Sequence, residues 1–312
     1  MERSRPLPIG PIPALELPVV PGQFVITDRE FHHFRALVLQ QTGISLGDSK
    51  RQLVCSRLGK RLRHYGYSTF SQYYDHLVER DPDGEELVRM INAITTNKTD
   101  FFREAHHFEF IRSGILPGLV SDAGTGGGRR LRVWSAGCSS GEEPYSIALM
   151  VMEGLPRPWA WDVKILASDI DTDMLAKGRE GVYGEDRLAT LPPDLRERYF
   201  LRGRGSREGL VCVRPEVKEL VAFRRINLRD ETWPIRTLFD WIFCRNVIIY
   251  FDRALQEGLV SRFVQLLKPG GYLFLGHSES LLGMRLGLKY VGNTVYQKAS
   301  DDAPVGQGDH RG

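Results

Sequence analysis

The stretch RVWSAGCSSGEEPYS, residues 132–146, breaks an apolar run with Gly137, Cys138 and two serines, then restarts as a helix opening on Glu142 and Glu143. A strand, a small-residue turn and a helix N-terminus in that order make the nucleotide-binding crossover of doubly wound α/β proteins, where small residues let the backbone approach a ligand. Acids in a first helical turn also complement unpaired N–H groups, so the two glutamates alone do not decide between ligand and helix dipole. Ligands in such sheets bind beyond the carboxyl ends of the strands. Asp169 closes VKILASD, 32 residues after Gly137. It is placed to accept ribose hydroxyls, although dinucleotide enzymes space that acid at roughly 20 residues. It is equally placed to cap the helix that follows. Asn227 and Leu228 follow a third strand, and Arg245 with Asn246 end the buried run DWIFC. A polar group ending such a run needs a ligand or an internal partner.

Other chemistries are disfavoured by what is missing. No GxGxxG follows the first strand, and GTGGGRR lacks the Lys-Ser/Thr ending of a P-loop. Cysteines 55, 138, 212 and 244 have no CxxC spacing, so neither a disulfide framework nor a zinc site is indicated. No metal is expected, and His106 and His107 read as packing or surface histidines.

Elements must hold these residues in place. From Asp28 to about Ile94 the apolar residues recur at helical period, with breaks at Gly43, Gly66 and Pro82–Gly84, so 23–94 is expected to be a small helical domain. Within it Val54, Leu58, Leu62 and Tyr65 share one stripe, and Arg57, Lys60, Arg61 and His64 the adjoining face. Asp48 to Tyr67 carries six Lys or Arg against one acid, which reads either as a solvated face or as a dock for an acidic partner.

Residues 95–130 form a linker ending in the Gly-rich SDAGTGGGRR. Strands are then expected at Leu131–Ser135, Val163–Ser168, Leu220–Arg224, Trp241–Phe243 and Tyr272–Leu275, with helices at Tyr145–Val151 and Arg253–Leu267. The alternation predicts a mostly parallel sheet covered on both faces over 131–299. Within 178–218, two β-like runs flank Gly203, Gly205 and Gly209 and read as an inserted hairpin. Six prolines in the first 21 residues prevent a regular helix, so 1–22 and 300–312 are expected to be flexible tails.

Composition sets broad limits. The 312 residues are 42% hydrophobic and 26% charged, ordinary for a globular chain, and the net charge of +3 gives no global case for nucleic acid. No run approaches the roughly 18 apolar residues that span a bilayer. A cytoplasmic monomer is the expectation.

The blocks ITTNKTDFFREAHHFEF, RVWSAGCSSGEEPYSIAL, ASDIDTDML, FCRNVIIYF and LKPGGYLFLGHSES together resemble the chemotaxis receptor methyltransferases, the CheR family. The resemblance runs in the family's order over roughly residues 24 to 298. It implies an N-terminal all-helical domain and a Rossmann-like S-adenosylmethionine methyltransferase domain with a small antiparallel β-subdomain. The implied activity is glutamate O-methylation of receptors, with S-adenosylhomocysteine as product. It further implies cofactor contacts at Asn97, Thr99, Arg103, Gly137, Glu143, Asp169, Asn227, Leu228, Arg245 and Asn246, and places Arg103 and Tyr250 nearest the transferred methyl. The implied partner is the cytoplasmic helical region of a chemoreceptor, for which the basic Arg57–His64 helix is a candidate dock by its charge, with a receptor C-terminal peptide met in some members by the β-subdomain around Gly203, Gly205 and Gly209. Two rivals remain: a methyltransferase of another substrate, and a silent cofactor- or receptor-binding module. CRNVIIY lacks the Asn-Pro-Pro-aromatic segment associated with amino-group methylation.

Overall fold

A computed structural model of the chain describes residues 24–124, 129–284 and 286–300, so the two tails and part of the Gly-rich connector lie outside the described residues. The first helix, α1 (Asp28–Thr42), starts where Thr27 and Glu30 exchange hydrogen bonds in a capping box, and ends at Gly43 in the left-handed region. Helices α2 (Arg51–Tyr65), α3 (Phe70–Glu79) and α4 (Glu85–Ile94) complete the helical unit. Phe31, Phe34, Val54, Leu58, Leu62, Tyr73, Met90 and Ile91 form its separate core.

That unit carries a buried charge. Glu86, 2% exposed, accepts from Arg61 Nε at 2.7 Å and Nη2 at 2.5 Å, and from the hydroxyls of Tyr73 at 2.7 Å and Tyr65 at 2.9 Å. Arg57 turns inward as well, donating to the carbonyls of Ile94 and Thr95 at 2.7 Å each, where α4 ends. The single basic face expected on α2 is therefore divided. Arg57 and Arg61 hold α4, whereas Lys60 and His64 face solvent. Glu86→Gln is expected to destabilise the fold by about 3 kcal/mol, since it leaves Arg61 half-buried without its counter-charge; an unchanged denaturation midpoint would refute this role.

The segment expected to be a linker is largely helical: α5 (Ala105–Phe110), a π-turn at Ile111–Ile115, and α6 (Leu116–Gly124), which absorbs the start of the Gly-rich connector. Beyond it run β1 (Arg130–Ala136), α7 (Glu142–Gly154), β2 (Asp162–Asp169) and α8 (Thr172–Glu180). Then come β3 (Val182–Gly184), α9 (Pro193–Tyr199), β4 (Phe200–Arg202), β5 (Leu210–Val213), α10 (Pro215–Lys218) and β6 (Val221–Arg225). The chain continues through β7 (Phe239–Cys244), α11 (Arg253–Leu266), β8 (Leu267–Leu275), β9 (Leu288–Gly292) and β10 (Val295–Lys298).

The main sheet has the order β6-β2-β1-β7-β8-β10-β9, parallel through β8, with β10 antiparallel to β8 and to β9. Alternation along β1 sends Leu131 and Val133 into one core and Trp134 and Ala136 into the other, so both faces are covered. All five expected strands exist, with shifted ends. β8 starts five residues earlier than expected and takes in KPGG, directly after α11. β9 and β10 are an unexpected hairpin, turned by Asn293 and Thr294 at φ 51° and 56°. The insertion starts after α8 and has three strands, in the order β3-β5-β4. Its glycines serve the turn between β4 and β5: a Cβ on Gly203 would meet the Arg207 carbonyl at 2.0 Å, and Gly205 and Gly209 have φ of 60° and 78°.

Candidate functional site

Reversal of strand order between β1 and β7 leaves a crevice at the carboxyl ends of the strands, and the helical unit closes over it. Hydrogen bonds at several points fix that closure. Asn92 Nδ2 donates to Thr172 Oγ1 at 2.8 Å, Thr95 Oγ1 to Asp171 Oδ2 at 2.7 Å, and Ser45 N to the Tyr250 carbonyl at 2.9 Å. The resulting cleft is lined by Asn97, Thr99, Arg103, Gly137, Glu143, Asp169, Asn227, Leu228, Arg245, Asn246 and Tyr250. Every residue expected to contact the cofactor or the methyl group thus faces one cavity, though residues 97 and 250 are far apart in the chain. Thr42, Ile44, Lys50 and Leu53, from the helical unit, line it too.

After β1 the backbone bends sharply. Gly137 N and Cys138 N both donate to the Ser168 carbonyl, at 2.8 and 2.9 Å. Gly137 has φ of 89°, and a Cβ there would meet Val247 Cγ2 at 2.3 Å, so no other residue fits without displacing the loop. Ser139 N then donates to Asp169 Oδ2 at 2.8 Å, while Asp171 N donates to Oδ1 at 2.9 Å. The helix-capping side chain is Asp171, which accepts from Asp173 N and Met174 N; Asp169 is left to the cleft.

The two glutamates of α7 divide their tasks. Glu142 turns away to pair with Arg187 at 2.7 Å, tying α7 to the inserted region. Glu143 accepts from Ser135 Oγ at 2.7 Å and faces Arg245 Nη1 at 3.5 Å. Arg245, 6% exposed, also pairs with Glu104 at 3.3 Å and donates to the Arg103 carbonyl. One guanidinium therefore joins α7, the end of β7 and the segment before α5. Asn246, at φ 59°, donates from Nδ2 to Glu104 at 3.2 Å. Asn227 is held to the helical unit through Gln41 O at 2.8 Å, and Asn97 to Asp171 at 2.7 Å.

Glu104 and Glu279 do site work that the spacing of residues did not disclose. Glu279, 3% exposed, takes the backbone N–H groups of Asn246, Val247, Ile249 and Gly276 at 2.6–3.3 Å. It moulds the loop that carries Asn246 and Tyr250. Its only signal was an acid in an otherwise small and polar turn, HSES.

Electrostatics follow from these partners. Burial raises the Glu143 carboxyl, opposed by the Arg245 guanidinium. Glu104 is held down at about 2 despite burial, by His277, Arg245 and Asn246. Burial, with Arg245 nearby, lowers His107 to about 4, so its ring is neutral at pH 7. Asp169 is pushed up to about 6 by burial, against the two backbone N–H groups that favour its charge.

For Asp169 the folded value lies above the ordinary 3.8, so the folded chain holds the extra proton between those values. This carboxyl's contribution to stability is present at low pH and is lost as pH rises through about 6. Ligand binding runs the opposite way, because accepting hydroxyl hydrogens needs the carboxylate. Cofactor affinity is expected to fall about fourfold between about pH 7.5 and about pH 5.5, and calorimetric titration with an Asp169→Asn comparison reads it. An equal pH slope in both proteins would refute the role.

The donor set fits an adenosyl sulfonium. Asp169 offers a buried acid for ribose, Ile170, Ile226, Leu228 and Phe251 offer apolar walls for a base, and Glu143 and Asp169 put negative charge beside a cation. Among the described residues no helix is long and apolar enough to cross a membrane.

Comparison with known proteins gives two family matches: "CheR methyltransferase, all-alpha domain" over residues 29–95 and "CheR methyltransferase, SAM binding domain" over 97–297. Chemotaxis protein methyltransferase 2 of Pseudomonas aeruginosa is 45% identical over 279 residues, spanning 89% of this chain and 95% of its own length. The chemotaxis protein methyltransferases of Salmonella typhimurium and Escherichia coli are 44% and 42% identical, covering 90% and 89% of this chain and 94% of each relative.

Proposed function

The chain belongs to the CheR methyltransferase family, and from that premise we propose that it methylates glutamate side chains of chemotaxis receptors, using S-adenosylmethionine and releasing S-adenosylhomocysteine. The observation that carries the reading is the single cleft gathering Arg103, Glu143, Asp169, Arg245 and Tyr250 from four separate segments. When bound, S-adenosylmethionine supplies a sulfonium methyl group open to displacement by a carboxylate oxygen.

A glutamate of ordinary pKa, near 4.3, is already ionised at neutral pH, so no general base is required. The residues of this chain then have two tasks, to position and to exclude water. Asp169 holds the cofactor through its ribose, and the Glu104–Arg245–Glu143 chain fixes the floor of the cleft. Arg103, half-buried, donates one nitrogen to the Lys98 carbonyl at 2.8 Å, which leaves its remaining N–H groups to orient an incoming carboxylate. Tyr250 lines the methyl pocket.

The receptor is met by the helical unit. Lys60 and His64 are the solvent-facing remnant of the α2 basic face and suit acidic receptor helices. Lys60→Glu is expected to weaken association with receptor-containing membranes several-fold at low salt and little at high salt, since surface charges are screened within about 10 Å at 0.1 M. Association insensitive to both the substitution and the salt would refute this dock. The β-subdomain presents β3 and β4 as sheet edges, and a receptor C-terminal peptide adds to one of them as a strand. The protein works in the cytoplasm as a monomer.

The deciding experiment is transfer of radiolabelled methyl from S-adenosylmethionine to receptor-containing membranes, with Asp169→Ala as control. Alkali-labile, volatile label on the receptor, absent in the control, is the expected result. Cofactor binding without such label would favour another substrate or a silent module.

A further inference from the structure

Glu104, His106 and His107 stand at the start of α5, and one potential ligand atom from each lies within 4.8 Å of the others. His107 is fully buried, and its Nε2 sits 2.7 Å from the Asn293 carbonyl. That oxygen can only accept, so Nε2 carries the hydrogen and the Nδ1 lone pair is left bare. Nδ1 looks across 3.6 Å at Glu104 Oε2, a second acceptor. Neither atom has a hydrogen-bond partner among the described residues, and both are buried. Arg245 Nη2, 3.3 Å from Oε2, offsets the charge of that carboxylate, so the cost that calls for a further cation falls on the bare, buried Nδ1 lone pair.

The surroundings are those of metal ligands. The His107 ring is oriented by its Nε2–H bond to a backbone carbonyl, the outer-shell contact that ligating imidazoles commonly make. Glu104 is fixed through Oε1, which accepts from Asn246 Nδ2 at 3.2 Å and from His277 Nδ1 at 3.0 Å. Glu104 Oε2 also faces the Arg245 guanidinium at 3.3 Å, which opposes an ion held by charge alone. Two imidazoles and one carboxylate favour a borderline ion, bound through nitrogen, over magnesium or calcium.

We infer that Glu104, His106 and His107 form a binding site for a divalent cation of the zinc type, with exposed His106 providing the way in. The site lies beside the methyl-transfer cleft and stands apart from the cofactor reading, because metal binding is measured with no cofactor present.

The test uses the full-length chain, free of any affinity tag and stripped with chelator, titrated with Co2+. A visible band of four-coordinate Co2+ is expected, saturating at one equivalent and displaced by Zn2+. His107→Ala is expected to abolish it, and His106→Ala to weaken binding on the order of 100-fold. Because His107 is buried and its variant is at risk of misfolding, the exposed His106 variant decides. No band, or a band unchanged by His106→Ala, would overturn the inference.

Discussion

Arg103→Ala is expected to lower the rate of methyl transfer by about 100-fold to 1,000-fold, while cofactor-free stability stays near that of the parent chain. The rate effect has the size expected when a positioned reactant loses its clamp. The fold should tolerate the change because Arg103 is half-buried and the hydrogen bond of its side chain goes to the Lys98 carbonyl, while its backbone bonds survive the substitution. Tyr250→Phe should retain single-turnover rate within about tenfold, since the ring still fills the pocket and carboxylate attack needs no proton transfer. Rapid-quench measurement at saturating cofactor separates the two. Loss of rate in Tyr250→Phe with retention in Arg103→Ala would invert the assignment and point to hydroxyl chemistry.

Arg245→Met should act on both stability and binding. Its guanidinium is the charge partner shared by Glu104 and Glu143, at 3.3 and 3.5 Å, and it is almost wholly buried. Removing one partner from a buried ionic group typically costs about 3–5 kcal/mol, because the carboxylates left behind keep their desolvation penalty. Glu143, already raised by burial, loses the guanidinium that opposes that shift and moves further up, and cofactor affinity falls with it. Acid sensitivity should change as well. Glu104, held at about 2, contributes stability that is present above its ordinary 4.5 and lost as pH falls towards 2. In Arg245→Met part of that dependence disappears. Denaturant titration at several pH values reads both effects, and a variant with unchanged midpoint and affinity would show the three-charge chain to be incidental.

Legibility in the sequence followed from how far apart the interacting residues are. Of the five parallel strands, β1, β2, β7 and β8 could be read because each holds a short apolar run buried on both faces, and β6, an exposed edge strand, by its place in the alternation. β9 and β10 were missed because they are short, partly exposed and at the sheet edge, although Gly292-Asn293-Thr294 between two alternating runs was a usable turn signal. β3 is three residues long and becomes a strand only by pairing with β5. The basic face of α2 was correctly placed by periodicity, yet Arg61 finds Glu86 25 residues away and Arg57 finds the last carbonyls of α4. Helical spacing says which residues share a face; it does not say what packs there.

The sequence by itself determined the fold class and, through the resemblance its motif blocks carry, the family and part of the cleft lining, because motif order and hydrophobic period are local properties of the chain, whereas Thr42, Ile44, Lys50 and Leu53 joined that lining only on folding. The resemblance already implied Glu143 as the α7 glutamate at the cleft, and tertiary structure alone decided what holds each of the two. Ser135 and Arg245 lie on the side of Glu143, Arg187 on the side of Glu142. It likewise decided that Asp171 caps α8 and frees Asp169, and that Glu104 and Glu279 brace the loops carrying the site. These assignments rest on hydrogen bonds and ion pairs, most of them between residues that only folding brings together, and a buried polar group takes its role from the partner that offsets its desolvation.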